Sequence, residues 1–322
     1  MKKLKHAVIS SFLSKTKDRF HEYNRVLTLE EKLDFVAGLE NIDGIEAVFP
    51  YEVNDAEKLK KELQKRNLHL SALNVNIKVE PEFRDGGLTN PSKEIRDKAV
   101  QFIKDGKDFA QKCGADKVTC CPLGDGYEFN FQSNYLQTWE YLKETIGAAA
   151  AYKPEIPLFI EYKPSETRAT CFLDSAAKTV SLFNAIGASS LGVTLDFGHS
   201  IYGGENPAEA LALVHNSGYP VYIHTNDNNG RWDWDLVAGS HHFVQFAEFI
   251  YYLQVLGYDD YITSDTSPTR WDIKDTFEMG ARITDELWKR VDGWDKSYIN
   301  SLLTGTHYME IAKYLESGLY KF

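Results

Sequence analysis

The sequence predicts an α/β fold, a (β/α)8 TIM barrel with a C-terminal helical extension. Eight short β-rich runs recur along the 322 residues, and helical patterns lie between them. No obvious linker interrupts this alternation, which favours one closed parallel barrel over two domains. The alternative is an open doubly wound sheet, which usually carries a glycine-rich phosphate loop after its first strand. The corresponding stretch here, ISSFLSKTKD, contains no glycine, and this weakens the alternative.

The strand candidates are short β-rich runs, each followed by a helical pattern. They are HAVISS (6–11), IEAVFP (45–50), LHLSAL (68–73), KVTCC (117–121), LFIE (158–161), LGVTLD (191–196), VYIH (221–224) and YITSD (261–265). Between them, apolar residues recur at three- and four-residue intervals, as in LEEKLDFVAGLE and SAAKTVSLFNAI. Residues suited to cap a helix N-terminus precede these stretches, namely Thr28, Asn54, Ser92 and Asp174.

The end of the chain differs from the barrel pattern. We expect residues 1–275 to form the catalytic barrel domain and residues 276–322 to form an aromatic-rich helical extension, with segments such as ELWKRVDGW and YMEIAKYLESGLY. Such an extension can pack on the barrel or on a partner subunit. We therefore expect a homodimer or a homotetramer.

Composition excludes several classes of partner. Hydrophobic residues make up 43% of the chain, which is ample for a buried core. The net charge of −11 argues against nucleic acid, whose binding depends on clustered Lys and Arg. No apolar run approaches the roughly 20 residues that a membrane span needs, and the basic start MKKLKHAVIS is too soon interrupted for a signal peptide. The four cysteines lack CxxC or zinc-finger spacing, so we expect reduced core residues in a cytoplasmic protein.

Metal-competent side chains fall at the ends of four successive predicted strands. Glu161 ends the fifth strand, Asp196 the sixth, His224 the seventh and Asp265 the eighth. In a (β/α)8 barrel the chemistry lies where strands end and βα loops begin, so these four side chains should meet at one face. An acidic residue after a single strand is often only a helix cap. Four in a row predict a metal site.

The stretch HTNDNNGRWDWD, residues 224–235, adds a second group of candidate ligands. Alternate residues of an extended loop face the same way, so Asp233 and Asp235 can reach one ion. His199, three residues after Asp196, completes the second set, with Asp196 bridging both ions. Oxygen-rich ligand sets with two histidines favour Mn2+, with Co2+ or Mg2+ as alternatives and Zn2+ less favoured. The sequence leaves open whether one or two ions bind.

These residues resemble the xylose isomerase-like TIM barrels, particularly the xylose and rhamnose isomerase branch. The resemblance covers about residues 110–270 and rests on an ordered set of motifs. They are a Glu-x-Lys at strand five, an acid-x-x-His at strand six, an acid or a histidine at strand seven, an Asp-x-Asp and a final Asp. Here these are Glu161 and Lys163, Asp196 and His199, His224, Asp233 and Asp235, and Asp265. The histidine at strand seven is more similar to the rhamnose isomerase pattern.

The resemblance implies a divalent-metal-dependent interconversion of an aldose and a ketose by a hydride shift. Lys163 would donate to the carbonyl oxygen, where its charge faces developing negative charge. Glu161 and Asp233 complete the catalytic set. Substrate contacts are predicted for residues that could stack on a sugar or reach an anionic substituent, namely Lys163, His199, Trp232, Arg270, Phe12 and Tyr51.

The chain also departs from the isomerase pattern. Those enzymes generally place a histidine near the end of an early strand, where it helps to open the cyclic sugar. Strands two to four here offer Glu52, Asn74 and Asn76 instead, and His69 lies too early in strand three. His21, in the first βα loop, is the one substitute that the sequence offers. The ring-opening group is therefore not predicted.

Other functions remain open at this point. A ketose 3-epimerase of the same fold would use a single metal, as would a related lyase that cleaves 3-oxo-glycosides. The last ligand in those enzymes is usually Glu, whereas this chain has Asp265, and they lack the Asp-x-Asp and the lysine. Apurinic endonucleases share the barrel but need a basic surface, which the acidic composition argues against. A non-catalytic sugar-binding protein would not need two sets of metal ligands.

Overall fold

Eight parallel strands form a closed barrel in the computed structural model, which describes residues 3–320. In chain order the strands are β1 His6–Ile9, β2 Gly44–Phe49, β3 His69–Val75, β4 Val118–Cys120, β5 Leu158–Glu161, β6 Leu191–Asp196, β7 Val221–Thr225 and β8 Ile262–Ser264. Each strand pairs with its neighbours in sequence, and β1 closes the ring by pairing with β8. All eight predicted strands are confirmed, with ends that shift by up to two residues.

The barrel interior is built in layers from side chains that alternate along the strands. Ala72, Phe159 and Tyr222 form a buried apolar cluster inside it. Two residues further along β7, the fully buried His224 points to the same face as Tyr222. Glu46 on β2, opposite Ala72 in the β2–β3 register, is equally buried. A charged layer therefore lies just above an apolar floor, toward the C-terminal ends of the strands.

Helices surround the barrel and bury their apolar faces against the strands. They are α1 Leu29–Ala37, α2 Ala56–Arg66, α3 Lys93–Cys113, α4 Tyr135–Ala151, α5 Ala176–Ile186, α6 Phe197–Tyr202, α7 Pro207–Asn216, α8 Phe243–Val255, α9 Ile273–Asp292, α10 Lys296–Thr304 and α11 Tyr308–Leu315. Short 3-10 helices span Ser10–Leu13 and Pro81–Asp85, and a π-helical turn spans Glu316–Tyr320. The βα loops also contain two small antiparallel sheets. One pairs Thr16–Lys17 with Glu22–Tyr23, and the other pairs Ala169–Cys171 with Gly126–Tyr127 and with Ser165–Glu166.

The predicted helix caps are partly confirmed. Thr28 caps α1 in a capping box with Glu31, as the sequence indicates. Two predictions are wrong by one residue, because Asp55 rather than Asn54 caps α2 and Ser175 rather than Asp174 caps α5. Ser92 lies at the N-cap position of α3 but makes no side-chain capping hydrogen bond. In each shifted case the second of two adjacent polar residues accepts from the backbone three residues on.

The C-terminal extension packs on the chain's own barrel helices. The predicted boundary at residue 275 falls inside α9, which begins at Ile273 and contacts α8 as the eighth barrel helix. Beyond α9, the ring of Trp294 meets that of Tyr314 edge to face, and the Arg290 guanidinium donates to the Leu319 carbonyl. The Trp294 ring also contacts the Tyr251 ring of α8, and residues of α8, α10 and α11 line one apolar cavity together.

Two further predictions concern the environment of the chain. All four cysteines are free and buried, as expected for core residues. Across residues 3–320, no helix is both long and apolar enough to cross a membrane.

Candidate functional site

The ends of β5 to β8 bring four metal-competent side chains together. Glu161, Asp196, His224 and Asp265 each offer one ligand atom, and these atoms all lie within 4.8 Å of one another. The Nδ1 atom of His224 lies 3.5 Å from a carboxylate oxygen of Glu161 and 3.5 Å from one of Asp265. All four residues are buried. The first predicted ligand set therefore forms one compact cluster.

Glu46 fixes the orientation and the tautomer of His224. Its Oε2 lies 2.9 Å from His224 Nε2, so the buried carboxylate accepts a hydrogen bond from the Nε2–H group. The other oxygen of Glu46 accepts from Thr119 Oγ1 at 2.6 Å and from Asn74 Nδ2 at 3.1 Å. Burial lowers the pKa of His224, but the charges of Glu46 and Glu161 raise it well above its usual value, so the ring is protonated at both nitrogens in the metal-free protein. A cation bound between Glu161 and Asp265 would displace the Nδ1 proton and meet the Nδ1 lone pair, while Nε2 keeps its proton toward Glu46. A carboxylate behind a ligating histidine is the usual arrangement at metal centres.

The cluster fits a divalent cation. Glu161 Oε1 and His224 Nδ1 are buried and have no hydrogen-bond partner within the described part of the chain. Buried polar groups normally have a hydrogen-bond partner, so two neighbouring buried polar atoms that lack one indicate a site for a positive ion. Burial raises the pKa of Asp196 to about 7, with a further contribution from the neighbouring carboxylates. Packing several carboxylates together is costly unless a cation neutralises them.

The second predicted ligand set is also assembled around Asp196. His199 Nδ1 donates to the Tyr162 carbonyl oxygen at 3.0 Å, and its Nε2 lies 3.2 Å from Asp233 Oδ2. The other oxygen of Asp233 is buried and has no hydrogen-bond partner among residues 3–320. Asp235 lies close enough to Asp233 and Asp265 that burial and their charges raise its pKa well above the usual range. These residues could hold a second ion next to the first.

The loop with the Asp-x-Asp motif is closed at its base by Asp227. The backbone of Asp227 forms an isolated antiparallel bridge with Leu236. Its buried carboxylate accepts from the backbone N–H groups of His241 and His242, and from the His242 ring at 2.7 Å. Asp235 itself adopts a left-handed conformation with φ of 48°, which is uncommon for a residue with a side chain. The loop is therefore a shaped element, not a solvated turn.

Two asparagines of the same stretch bind the end of β6. Asn226 Nδ2 donates to Asp196 Oδ2 at 2.8 Å, and Asn228 Nδ2 donates to the Gly198 carbonyl oxygen at 2.8 Å. A side chain at Gly198 would begin only 1.7 Å from Asn226 Oδ1, so glycine is required for this close approach. The HTNDNNG segment thus positions Asp196 from the neighbouring strand.

The two ligand sets open into one cavity of about 360 Å3. Glu161, His199, Asp233, Asp235 and Asp265 line it, as do Lys163, Lys78 and Glu166. Its volume lies in the range of small-molecule sites, roughly 300–1,000 Å3. Lys163 Nζ lies 2.9 Å from Asp233 Oδ2 and forms a second salt bridge with Glu166. Although burial lowers the pKa of Lys163, these carboxylates raise it well above its usual value, so it remains an ammonium ion.

The residues predicted to contact substrate are only partly at the cavity. Phe12 lies in the cavity wall with Lys163 and His199. Tyr51, Trp232 and Arg270 lie outside that wall: the Tyr51 hydroxyl donates to Glu80, Trp232 packs against Tyr202, and Arg270 is exposed over the Tyr23 ring. The structure therefore does not bring these three together with the metal cluster.

Sequence reasoning missed several residues of the site. Glu46 had a detectable signal, because a glutamate inside the apolar strand GIEAVF needs a buried partner. Lys78, Glu166 and Asn226 gave no comparable signal, since each lies in a loop whose path depends on tertiary packing. The early strands supply no histidine to the cavity wall, and the side chain of His21 is 67% exposed. The described structure therefore places no histidine from an early strand or from the first βα loop where it could open a cyclic sugar, as the sequence indicates.

Comparison with known proteins identifies the class. The family model described as xylose isomerase-like TIM barrel matches residues 33–287, most of the chain. The protein therefore belongs to the xylose isomerase-like TIM barrel family.

Individual relatives are more distant. The chain is 24% identical over 207 residues to xylose isomerase from Thermus thermophilus, which covers 62% of this chain and 54% of that enzyme. The chain thus spans about half the length of this curated relative. Among solved structures, a D-tagatose 3-epimerase-like protein has a TM-score of 0.71 and 20% identity, covering 90% of this chain and 98% of that one. An L-ribulose 3-epimerase also has a TM-score of 0.71, with 17% identity and coverages of 92% and 98%. These likenesses concern the fold.

Proposed function

We propose that this protein is a divalent-metal-dependent sugar isomerase that interconverts an aldose and a ketose. The observation that supports this most is the presence of a second ligand set, His199, Asp233 and Asp235, beside the first, with Lys163 bound to Asp233. The substrate is a small sugar bound in the cavity. Mn2+ is the favoured ion, with Co2+ or Mg2+ as alternatives, because the ligands are mainly carboxylates with two histidines.

The residues would divide the chemistry as follows. Glu161, Asp196, His224 and Asp265 would hold one cation, and His199, Asp233 and Asp235 a second, with Asp196 shared. Divalent ions at these positions supply Lewis-acid polarisation of adjacent sugar oxygens. Interconversion would require that the hydrogen on C2 move as hydride to C1 while the proton of the C2 hydroxyl is transferred to the C1 oxygen.

Lys163 supplies the polar contact that the chain itself makes to the reacting carbonyl. Its ammonium group stays charged because Asp233 and Glu166 flank it. A permanently charged donor suits the carbonyl oxygen, on which negative charge develops in the transition state. The same charge state makes Lys163 unsuitable as a general base, because its proton is held too strongly. Glu166 and Asp233 restrict the position of Nζ at the cavity wall.

A 3-epimerase or a related 3-oxo-glycoside lyase is the second candidate. The cluster of Glu161, Asp196, His224 and Asp265 is by itself a complete four-ligand site, and a single ion there needs none of the second set. Glu161 and Asp265 each place a carboxylate oxygen 3.5 Å from His224 Nδ1, and they would be the two acids that exchange a proton with a substrate carbon. In that case Asp233 and Asp235 would be dispensable for turnover.

Metal stoichiometry separates the two candidates. Wild-type protein and the double variant Asp233→Asn/Asp235→Asn are loaded with Mn2+, freed of unbound ion and assayed for bound metal per chain. The isomerase proposal expects about two ions in the wild type, about one in the variant, and loss of aldose–ketose conversion. One ion in the wild type, with normal turnover by the variant, would contradict the isomerase assignment and favour the epimerase assignment. Circular dichroism of both proteins controls for folding.

A further inference from the structure

The two lysines of the cavity differ in their partners. Lys163 is neutralised by Asp233 and Glu166. Lys78 lines the same cavity, yet within residues 3–320 its ammonium group makes neither a salt bridge nor a hydrogen bond. Its side chain is partly buried. A cation that is partly removed from water without a counter-ion is unfavourable, and a ligand that supplies the negative charge removes that penalty.

The backbone at Lys78 is held in place. Asn76 Oδ1 accepts from the N–H groups of Lys78 at 3.0 Å and of Val79 at 3.2 Å, which forms an Asx-type turn directly after β3. Ile77, between them, is buried in the hydrophobic core. The position of Lys78 at the cavity is thus set by the fold, and a ligand need not order the backbone when it binds.

The acidic residues nearest to Lys78 along the chain are engaged elsewhere. Glu80 accepts from the Tyr51 hydroxyl at 2.7 Å and pairs with Lys98 at 3.3 Å. Glu82 also pairs with Lys98. Within the cavity, the carboxylate of Glu166 is occupied by Lys163. The positive charge of Lys78 is therefore directed to the cavity contents.

The position of Lys78 in the barrel defines where such a ligand group would lie. Lys78 follows β3, which lies across the barrel from β7 and its ligand His224. Lys78 and the ligand Glu161 line the same cavity. A sugar with its carbonyl end at the metal ligands would extend its other end toward Lys78.

We propose that Lys78 binds a carboxylate at the end of the substrate opposite its carbonyl group, so that the preferred substrate is a sugar acid of the uronate type. This assignment rests on the proposed sugar-binding function of the same site. A carboxylate fits better than a phosphate ester because one ammonium group matches one negative charge. Phosphate sites usually combine several donors, such as arginines or a helix N-terminus.

Binding affinities test the proposal without requiring turnover. Mn2+-loaded protein is titrated calorimetrically with three matched pairs, D-glucuronate and D-glucose, D-galacturonate and D-galactose, and D-mannuronate and D-mannose, and with D-glucose 6-phosphate. Wild type is compared with Lys78→Met, Lys78→Arg and Lys98→Met. The last variant removes a lysine that is paired with Glu80 and Glu82 outside the cavity wall.

In at least one pair, we expect wild type to prefer the acid over the neutral sugar by about tenfold or more, as for a hydrogen bond to a charged group. Lys78→Met should reduce that ratio to near one, whereas Lys78→Arg and Lys98→Met should retain it. No preference in any pair, a preference that survives in Lys78→Met, or tighter Lys78-dependent binding of the phosphate ester would overturn the assignment. A Lys78-dependent preference without aldose–ketose conversion would refute the proposed isomerase and leave this inference standing.

Discussion

Replacing Glu46 with Gln should weaken metal binding, although Glu46 is not itself a predicted ligand. Glu46 contacts His224 at Nε2, the ring nitrogen that faces away from the cluster. Glu46 Oε1 accepts from Thr119 and Asn74, while Oε2 accepts from His224 Nε2 at 2.9 Å. A glutamine that keeps its oxygen toward Thr119 and Asn74 must present its NH2 group to His224. Two donors would then face each other. The imidazole proton moves to Nδ1 to relieve this, and the lone pair that faces Glu161 and Asp265 is lost.

The magnitude follows from comparable sites. Loss of the carboxylate behind a ligating histidine typically costs about 10- to 100-fold in metal affinity, equivalent to roughly 1.4–2.7 kcal/mol. We expect the Kd for Mn2+ at the tighter site to rise by that factor, as measured by electron paramagnetic resonance of free Mn2+. Glu52→Gln is the matched control, since Glu52 follows the same strand but pairs with Lys32 and Ser10 instead of a histidine. An affinity within twofold of wild type in Glu46→Gln would refute the role assigned to Glu46.

The remaining predictions concern Lys163, the ligand charges and Asp196. Lys163→Met should reduce kcat by about 100-fold while KM and metal content change little, as steady-state kinetics and metal analysis will measure; near-normal turnover with two bound ions would contradict its role. Burial lowers the pKa of His199, but Asp196 and Asp233 raise it to about 9 from its usual 6.5, so metal-free protein loses that stabilisation as pH rises between these values. Burial raises the pKa of Asp196 from 3.8 to about 7, so metal-free protein likewise loses stability as pH rises between those two values. Since bound metal displaces these protons, the increase in Tm on adding Mn2+ should grow from about pH 6 to about pH 9 in thermal scans. An increase that is constant or shrinks would contradict this. Asn226→Ala should release Asp196 Oδ2 and weaken Mn2+ binding by about tenfold. Calorimetry will check this against Asn229→Ala, a loop variant whose side chain accepts from the Arg231 N–H instead of contacting Asp196.

The fold was predictable because its signals are local. Each barrel strand is a short β-rich run, and the period of the intervening segments is helical. Strand ends such as Glu161 and Asp196 coincide with the prediction, because each directly precedes a turn into a loop or helix. Helix caps shifted by one residue where two polar residues are adjacent, as at Asn54 and Asp55, since either can start a helix.

The site was predictable only as far as strand ends determine it. The ligands on β5 to β8 meet because parallel strands place their C-terminal ends at one face of the barrel. Glu46 contacts His224 across 178 residues of chain, and Lys78 reaches the cavity through a turn that Asn76 holds. Such contacts depend on barrel closure and loop packing. For the same reason Tyr51 and Arg270, which the sequence suggested for substrate contact, lie against Glu80 and Tyr23 instead.

Turnover in D2O tests the central claim most directly. Mn2+-loaded protein is incubated with a panel of neutral and acidic aldoses and ketoses in D2O, and the products are analysed by NMR for identity and for deuterium on carbon. A hydride shift carries hydrogen directly between the first two carbons, so our account predicts an aldose–ketose pair whose carbon-bound hydrogens remain protium. A C3 epimer that carries deuterium at that carbon would show proton exchange with solvent, and would contradict the isomerase in favour of the epimerase.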